Sequence, residues 1–243
     1  MTRPLLRDIE PRLYQEAIFA KASQANTLVV LPTGLGKTLI ALLMAAQRLA
    51  LYPHSKILIL APTKPLVQQH EQTFRKHIEG IPDDIVVFTG DVSPEKRRVA
   101  WENARIVLST PQAIENDILT RRILLDDVSL LVIDEAHRAT GDYAYVFVAQ
   151  QYMTYSKSSR ILALTASPGS DEVTIDAVIK NLHIEQIELR TPEDGDVKQY
   201  LQDIDIEYIT TPLPPAIFNA SAPIEIALSV EKSFSPEAIC PCN

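Results

Sequence analysis

The stretch Leu31-Pro32-Thr33-Gly34-Leu35-Gly36-Lys37-Thr38 decides the fold that we predict for this chain. It follows an apolar, β-branched run over Thr27 to Leu31 and opens an apolar-periodic segment over Lys37 to Leu51. We therefore predict a strand, a glycine-bearing loop and a helix, in that order. Backbone N–H groups in such a loop, together with the positive end of the helix that follows, bind phosphate oxygens.

The residue types in this loop suit phosphate chemistry. Gly34 and Gly36 allow backbone conformations that a Cβ atom would forbid. Lys37 is long enough to reach outer phosphates, and the hydroxyl of Thr38 is a typical ligand of Mg²⁺ in such loops. We assign six residues to a nucleotide site: Thr33, Gly34, Leu35, Gly36, Lys37 and Thr38.

Five further apolar runs alternate with helical patterns along the chain. The runs cover Lys56 to Ala61, Ile85 to Thr89, Ala104 to Ser109, Ser129 to Ile133 and Arg160 to Thr165. The helical patterns begin near Pro65, Pro94, Pro111, Asp142 and Asp171, and an earlier one runs from Pro11 to about Ser23. This alternation predicts an α/β fold in which a parallel sheet is covered by helices on both faces.

Polar residues follow each predicted strand, where right-handed crossovers bring the carboxyl ends of the strands to one edge of the sheet. These segments are Pro62-Thr63-Lys64, Thr89-Gly90-Asp91, Ser109-Thr110-Pro111-Gln112, Asp134-Glu135-Ala136-His137 and Thr165-Ala166-Ser167. Asp134 and Glu135 carry most weight. A carboxylate at the tip of a buried strand can hold Mg²⁺, and the next one can orient and deprotonate an attacking water.

Composition limits the function classes. The formal net charge is −8, but 14 acidic and only four basic residues lie in 170–243, so the preceding body is nearly neutral and can carry a local phosphate-binding face. The basic runs Lys96-Arg97-Arg98 and Arg121-Arg122 are interpreted as solvated helix faces. The only cysteines, Cys240 and Cys242, disfavour a zinc site or disulfide framework. No apolar run approaches the roughly 20 residues that span a bilayer, and no signal-peptide pattern is present, so we expect no membrane partner and a cytoplasmic location.

The order of these motifs resembles the first RecA-like motor domain of a superfamily 2 helicase, over roughly residues 8–210. The loop matches motif I in its common helicase form, with Leu31 where the general pattern has Gly. Asp134 to His137 matches motif II, the DEAH box, and Thr165 to Ser167 matches motif III. Ala61-Pro62-Thr63-Lys64-Pro65-Leu66-Val67-Gln68-Gln69 further resembles motif Ia of the archaeal Hef helicases and their FANCM and Mph-type relatives.

The resemblance implies a RecA-like P-loop domain over residues 1–210 that binds ATP and Mg²⁺. Lys37, Asp134 and Glu135 are then catalytic, and Thr38 and Asp134 bind the metal ion. Arg12 and Gln15 lie on the adenine side, where an amide can both donate and accept a hydrogen bond. The resemblance also implies coupling residues (His137, Thr165 and Ser167) and contacts with the backbone of one nucleic-acid strand (Thr63, Lys64, Thr89, Gly90, Thr110 and Gln112).

A complete motor of this family needs a second RecA-like domain, whose arginines complete the ATP site. After Ser167 we expect only a helix over Glu172 to Leu182, strands over Ile184 to Arg190 and Ile204 to Ile209, and an extended or disordered tail. The tail, residues 211–243, contains six of the 17 prolines. We therefore predict the ATP-binding first motor domain of a DNA helicase or translocase that acts on branched or forked DNA. The second motor domain would lie outside this chain, and a nuclease domain could belong to the full-length protein.

Two alternatives stay open. The first is a nucleotide-gated module that binds nucleic acid or protein without hydrolysis. Glu135 argues against it, because a binding switch needs no water-activating base. The second is a motor that acts on double-stranded RNA, as in Dicer-like and RIG-I-like relatives. Ala136 disfavours it only weakly, because those relatives typically carry Cys at that position.

Overall fold

The computed structural model describes residues 6–167 and 172–200 of the 243-residue chain. The helices are α1 (Leu13–Ala22), α2 (Lys37–Leu51), α3 (Lys64–His77), α4 (Pro94–Asn103), α5 (Pro111–Leu119), α6 (Ala144–Tyr155), α7 (Glu172–Asn181) and α8 (Gly195–Lys198). The strands are β1 (Thr27–Val30), β2 (Lys56–Leu60), β3 (Ile85–Phe88), β4 (Ile106–Ser109), β5 (Val128–Ile133), β6 (Ile161–Thr165) and β7 (Gln186–Leu189). Short 3₁₀ turns span Pro82–Asp84 and Ala136–Arg138.

Within the described residues the strands form one seven-stranded sheet in the order β3-β4-β2-β5-β6-β1-β7, and every pair is parallel. The register keeps the carboxyl ends level: Val30 lies opposite Thr165, and Leu60 lies opposite both Ser109 and Ile133. The polar segments that follow the strands therefore share one edge of the sheet. The predicted α/β fold with a parallel sheet is confirmed.

Helices cover both faces of this sheet. Successive strand residues point to opposite faces, so Ile57 and Ile59 belong to one apolar cluster while Leu58 and Leu60 belong to the other. The first cluster is closed by side chains of α1, α2 and α3, and the second by side chains of α4, α5, α6 and α7. Burial on both faces explains why the central strands read as continuous apolar runs.

The boundaries differ from the predicted ones by a few residues. Helix α1 begins at Leu13 instead of Pro11, because the side chain of Gln15 accepts a hydrogen bond from the backbone N–H of Arg12 and makes Arg12 the N-cap. The strand predicted over Ile184 to Arg190 is the shorter β7, which pairs with β1 at the sheet edge. The predicted strand over Ile204 to Ile209, the domain boundary at 210 and the tail lie outside the described residues.

The interpretation of the basic run at 96–98 as a solvated helix face is wrong for Arg97. This arginine on α4 is 5% exposed, and its guanidinium donates to both carboxylate oxygens of Asp117 on α5, at 2.6 and 2.8 Å. It also donates to the carbonyl of Val92 at 2.5 Å. A fully buried counter-charge on another helix therefore draws Arg97 inward, whereas Arg98 pairs with exposed glutamates on its own helix.

The other basic run, Arg121-Arg122, lies just after the end of α5, so it does not form a helix face. Among the helices that the structure describes, none combines the length and apolar character needed to cross a bilayer.

The substitution Asp117→Ala should lower the free energy of unfolding by about 3–5 kcal/mol, because it leaves the buried Arg97 guanidinium without its carboxylate. Urea denaturation followed by circular dichroism measures this change. Arg98→Ala is the matched control: it removes the two exposed ion pairs of the residue next to Arg97 and should leave the midpoint near that of the wild type. Equal midpoints for the two variants would contradict a stabilising role for the buried pair.

Candidate nucleotide-binding site

The loop between β1 and α2 has two glycines in the left-handed region of backbone space, Gly34 with φ +86° and Gly36 with φ +78°. Such conformations are strained for residues with a Cβ atom. The two positions differ in their surroundings. A Cβ on Gly34 would meet no atom within 4 Å, whereas one on Gly36 would lie 2.4 Å from Nε2 of Gln15. Gly36 is therefore required both by its backbone angle and by the approach of α1.

Lys37 lies at the first position of α2, with its ammonium group turned back over the loop. Nζ donates to the carbonyl of Leu31 at 2.8 Å and lies 3.5 Å from the carbonyl of Pro32. Burial lowers the pKa of Lys37, and the negative charges of Asp134 and Glu135 oppose that shift. The structure thus brings the predicted phosphate-binding lysine and the two predicted carboxylates within electrostatic range of one another.

Asp134 is buried at the end of β5 and is held by several hydrogen bonds. Its Oδ2 lies 2.8 Å from Nε2 of His70 on α3, and its Oδ1 accepts the backbone N–H of Glu135 at 3.0 Å. Its backbone N–H donates to Leu60 at 2.9 Å, and its carbonyl accepts the hydroxyl of Tyr145 at 2.7 Å. Burial raises the pKa of Tyr145, so the phenol remains protonated and can donate. Both the backbone and the carboxylate of Asp134 are therefore fixed.

A chain of polar contacts runs from Glu135 to β6. Glu135 has a φ of +51°, an uncommon conformation for a residue with a side chain, which is found more often at functional sites. Its Oε2 lies 3.3 Å from Nδ1 of His137, and the same nitrogen lies 3.1 Å from the hydroxyl oxygen of Thr165. That hydroxyl donates to the carbonyl of Ser167 at 2.5 Å, so it can accept a hydrogen from Nδ1. The three predicted coupling residues, His137, Thr165 and Ser167, therefore form one chain of hydrogen-bond contacts.

A cavity of about 350 Å³ lies between α1 and the loop, and its lining includes Arg12, Gln15, Gly34, Leu35 and Gly36. Gln15 is buried here: its Oε1 accepts from the backbone of Arg12, and its Nε2 donates to the carbonyl of Leu35 at 3.2 Å. The guanidinium of Arg12 lies 4.9 Å from the ring centroid of Tyr200. Gln15 therefore ties α1 to the loop beside this cavity. Adenine recognition by Gln15 stays a prediction.

The donor set at this edge fits Mg²⁺ that arrives with a nucleotide. In the part of the chain that the structure describes, no group of three or more His, Cys, Asp or Glu residues could hold a metal ion on its own. Mg²⁺ in nucleotide sites commonly takes one or two protein ligands and completes its shell with phosphate oxygens and water. One buried carboxylate, Asp134, and one hydroxyl at the start of α2, Thr38, meet that requirement.

The residues predicted to contact nucleic acid follow β2, β3 and β4, which are neighbours in the sheet. Four of them are exposed: Thr63, Lys64, Gly90 and Gln112. Thr110 is half-buried, and Thr89 is only 4% exposed, so its hydroxyl does not lie at the surface. The ammonium of Lys64 pairs with the exposed carboxylate of Asp91. The structure therefore brings this set to one part of the edge, and its contacts with nucleic acid stay predictions.

The sequence interpretation missed two residues that support Asp134, namely His70 and Tyr145. Val67, His70 and Phe74 form the buried stripe of α3, so a histidine in an apolar stripe was the available signal. Such a signal does not identify a partner, because the partner lies on a strand that is distant in the chain. Tyr145 gives no comparable signal, since it looks like an ordinary aromatic core residue of α6.

Comparisons with known proteins agree with this arrangement. Residues 12–175 match the family described as DEAD/DEAH box helicase. The chain is 42% identical over 211 residues to a DEAD-box ATP-dependent RNA helicase, FANCM, of Arabidopsis thaliana, which covers 86% of this chain and 16% of that protein. It is 44% identical over 200 residues to the ATP-dependent DNA helicase mph1 of Neurospora crassa, which covers 82% of this chain and 17% of that protein.

A solved structure is also similar. The crystal structure of the Hef helicase domain of Pyrococcus furiosus superposes with a TM-score of 0.82 at 47% identity, over 92% of this chain and 50% of that one. The chain thus spans half of the Pyrococcus chain and less than a third of the curated relatives that it matches.

The substitution Gly36→Ala should destabilise the protein more than Gly34→Ala, because both strain the backbone but only the first forces a Cβ against Gln15. Left-handed strain alone costs about 1–2 kcal/mol. Urea denaturation of the two variants, each also made in a Gln15→Ala background, forms a double-mutant cycle. Removal of the Gln15 amide should reduce the cost of Gly36→Ala and leave that of Gly34→Ala unchanged. Identical costs in both backgrounds would refute the contact.

Proposed function

This chain belongs to the DEAD/DEAH box helicase family, and from that membership we propose that it is the ATP-binding first motor domain of an ATP-dependent DNA helicase or translocase that acts on branched or forked DNA. The resemblance to the Hef, FANCM and Mph group is confirmed. The observation that carries the proposal is that Lys37 lies within electrostatic range of Asp134 and Glu135 at one edge of a parallel sheet.

The residues divide the work of ATP hydrolysis among them. The ammonium of Lys37 binds the outer phosphates, and loop N–H groups bind the remaining phosphate oxygens. Thr38 and Asp134 would hold Mg²⁺, which would supply neutralisation of the charge on the phosphate oxygens. Glu135 orients a water molecule and accepts its proton as the water oxygen attacks the γ-phosphorus, while the bond to the leaving ADP oxygen breaks.

Hydrolysis is coupled to the rest of the motor through the contacts of Glu135. Nδ1 of His137 lies 3.3 Å from the carboxylate of Glu135 and 3.1 Å from the hydroxyl of Thr165. A movement of the water-activating carboxylate would therefore shift His137 and, through it, the end of β6. Arg12 and Gln15 line the cavity beside the loop and are the proposed adenine-side residues.

The proposed nucleic-acid contacts lie along the ends of β2, β4 and β3. Hydroxyls, a backbone glycine, one amide and one lysine suit contacts with phosphates and sugars that carry no sequence readout. Lys64 is the one cation of this set, so binding by this chain alone should be weak and sensitive to salt. The Arabidopsis relative is named an RNA helicase and the Neurospora relative a DNA helicase, so the class of nucleic acid is a point for experiment.

We propose that the motor is completed by a second RecA-like domain. After β6 the described residues form α7, the edge strand β7 and the short α8, which do not make a second sheet. Half of the Pyrococcus chain lies outside the matched region, which leaves room for such a domain in a longer protein of this kind. An arginine supplied across the domain cleft would contribute about 10³- to 10⁵-fold to the rate.

The substitution Lys37→Ala should abolish binding of Mg·ATP, because it removes the charge that pairs with the outer phosphates. A fluorescent ATP analogue titrated into the purified chain measures the affinity. Lys64→Ala is the matched control. It removes a lysine from the same edge of the sheet, but one that follows β2 and belongs to the proposed nucleic-acid contacts, so the nucleotide affinity of this variant should equal that of the wild type. Unchanged affinity in Lys37→Ala would refute the assigned loop.

The isolated chain, verified as a monomer, should hydrolyse ATP slowly or not at all, with or without forked DNA. Addition of a second motor domain in trans should raise turnover in the wild type but not in Glu135→Gln, because that variant lacks the proton acceptor. Rapid DNA-stimulated turnover by the chain alone would overturn the incomplete-motor proposal. If neither the wild type nor Glu135→Gln hydrolysed ATP in the reconstituted motor, a binding module without hydrolysis would be favoured. If forked RNA but not forked DNA stimulated hydrolysis, the RNA motor would be favoured.

A further inference from the structure

His70 makes a buried contact with the carboxylate proposed to bind Mg²⁺. Its Nε2 lies 2.8 Å from Oδ2 of Asp134, and both side chains are 8% exposed. His70 lies on α3, whereas Asp134 lies at the end of β5, 64 positions later in the chain. None of the helicase motifs that identify the ATP site includes His70, and its contact with Asp134 arises only from the fold.

The hydrogen-bond pattern defines which nitrogen carries the hydrogen. A carboxylate that binds Mg²⁺ is ionised and only accepts hydrogen bonds, so in that state Nε2 of His70 is the donor in this contact. The other ring nitrogen, Nδ1, is buried and has no hydrogen-bond partner among the described residues. A buried nitrogen without a hydrogen bond carries a desolvation cost. An apolar residue could fill the same position between Val67 and Phe74 without that cost, so packing alone does not account for a histidine here.

The contact matters because the carboxylate torsion of aspartate is intrinsically broad. Two hydrogen bonds restrict it here. The N–H of Glu135 binds Oδ1 at 3.0 Å, and the imidazole of His70 binds Oδ2 at 2.8 Å. Without His70 only Oδ1 would be held, by a donor on the adjacent residue, and the carboxylate would rotate more freely. Each carboxylate oxygen has a second acceptor site, so these bonds leave Asp134 able to bind a cation or its water.

We propose that His70 is a positioning residue that holds the Asp134 carboxylate in the orientation needed to bind Mg²⁺ together with the nucleotide. The inference rests on the proposed function, in which Asp134 is a metal ligand. Partners that orient a metal ligand in this way typically contribute about 10- to 100-fold to metal affinity or activity. Helix α3 also begins at Lys64, so the same helix carries a proposed nucleic-acid contact and the support of the metal ligand.

The test measures the affinity of a fluorescent ATP analogue as a function of Mg²⁺ concentration in the purified chain. His70→Leu and His70→Asn should each require about tenfold more Mg²⁺, because neither places an N–H at the position of Nε2. His70→Gln is the rescuing variant: its longer amide can donate to Asp134, and its Mg²⁺ requirement should stay within about twofold of the wild type. Nucleotide affinity in the presence of EDTA should be equal in all four proteins, because the loop is unchanged.

Two outcomes of that titration overturn the proposal. One is a folded His70→Leu variant with the Mg²⁺ requirement of the wild type. The other is a His70→Gln variant as defective as His70→Asn, because that result would indicate a role in shape and not in hydrogen bonding. Urea denaturation of each variant establishes that it is folded, and the comparison of Gln with Asn stands even if Leu unfolds the protein.

A second readout is independent of nucleotide and metal. Nuclear magnetic resonance of ¹⁵N-labelled wild type should show an Nε2-protonated His70 whose hydrogen exchanges slowly with solvent, and Asp134→Ala should abolish that protection. An Nδ1-protonated ring, or protection that survives Asp134→Ala, would overturn the contact. If the wild type showed this signature but Lys37→Ala had no effect on nucleotide affinity, the proposed function would fail while the support of Asp134 by His70 would stand.

Discussion

The common direction of the strands is the constraint on which the rest of the structure depends. In a parallel sheet every carboxyl end emerges at the same edge, and the level register of β1 with β6, and of β2 with β4 and β5, keeps those ends together. Residues as distant in the chain as Lys37 and Asp134 therefore come within electrostatic range of each other. Apolar packing on both faces stabilises the sheet, and the polar chemistry is left to the loops at that edge.

The strand order divides this edge into two parts. The carboxylates follow β5, Thr165 ends β6 and the phosphate loop follows β1, whereas the segments after β3, β4 and β2 carry the residues proposed to contact nucleic acid. The boundary lies between β2 and β5. Asp134 follows β5, and α3 follows β2 and brings His70 to it across that boundary. The buried histidine–aspartate contact is thus a direct physical link between the two parts of the site.

Most of the fold could be predicted from the sequence because its signals are local. A buried parallel strand appears in the sequence as a short apolar run, and a phosphate loop needs glycines at fixed spacing. Proline is tolerated in the first turn of a helix, so it marks where a helix can begin. Helix α2 and the starts of α4 and α5 lie where they were predicted. The boundary error at α1 is local too: the side chain of Gln15 caps α1 at Arg12, later than Pro11 suggests, because side-chain capping is not visible in an apolar pattern.

The sequence by itself determined the α/β class, the order of the elements, the phosphate loop and the DEAH box, since each depends on residues adjacent in the chain. Only the tertiary structure decided which side chains support them. Arg97 is drawn into a buried pair with Asp117, His70 bonds Asp134, and Gln15 fixes the loop at Leu35. These contacts depend on which helices and strands become neighbours and on the depth of burial at each contact. The residues adjacent in the chain do not indicate which elements become neighbours or how deeply a contact is buried. The same histidine or arginine is stable both in water and beside a buried carboxylate.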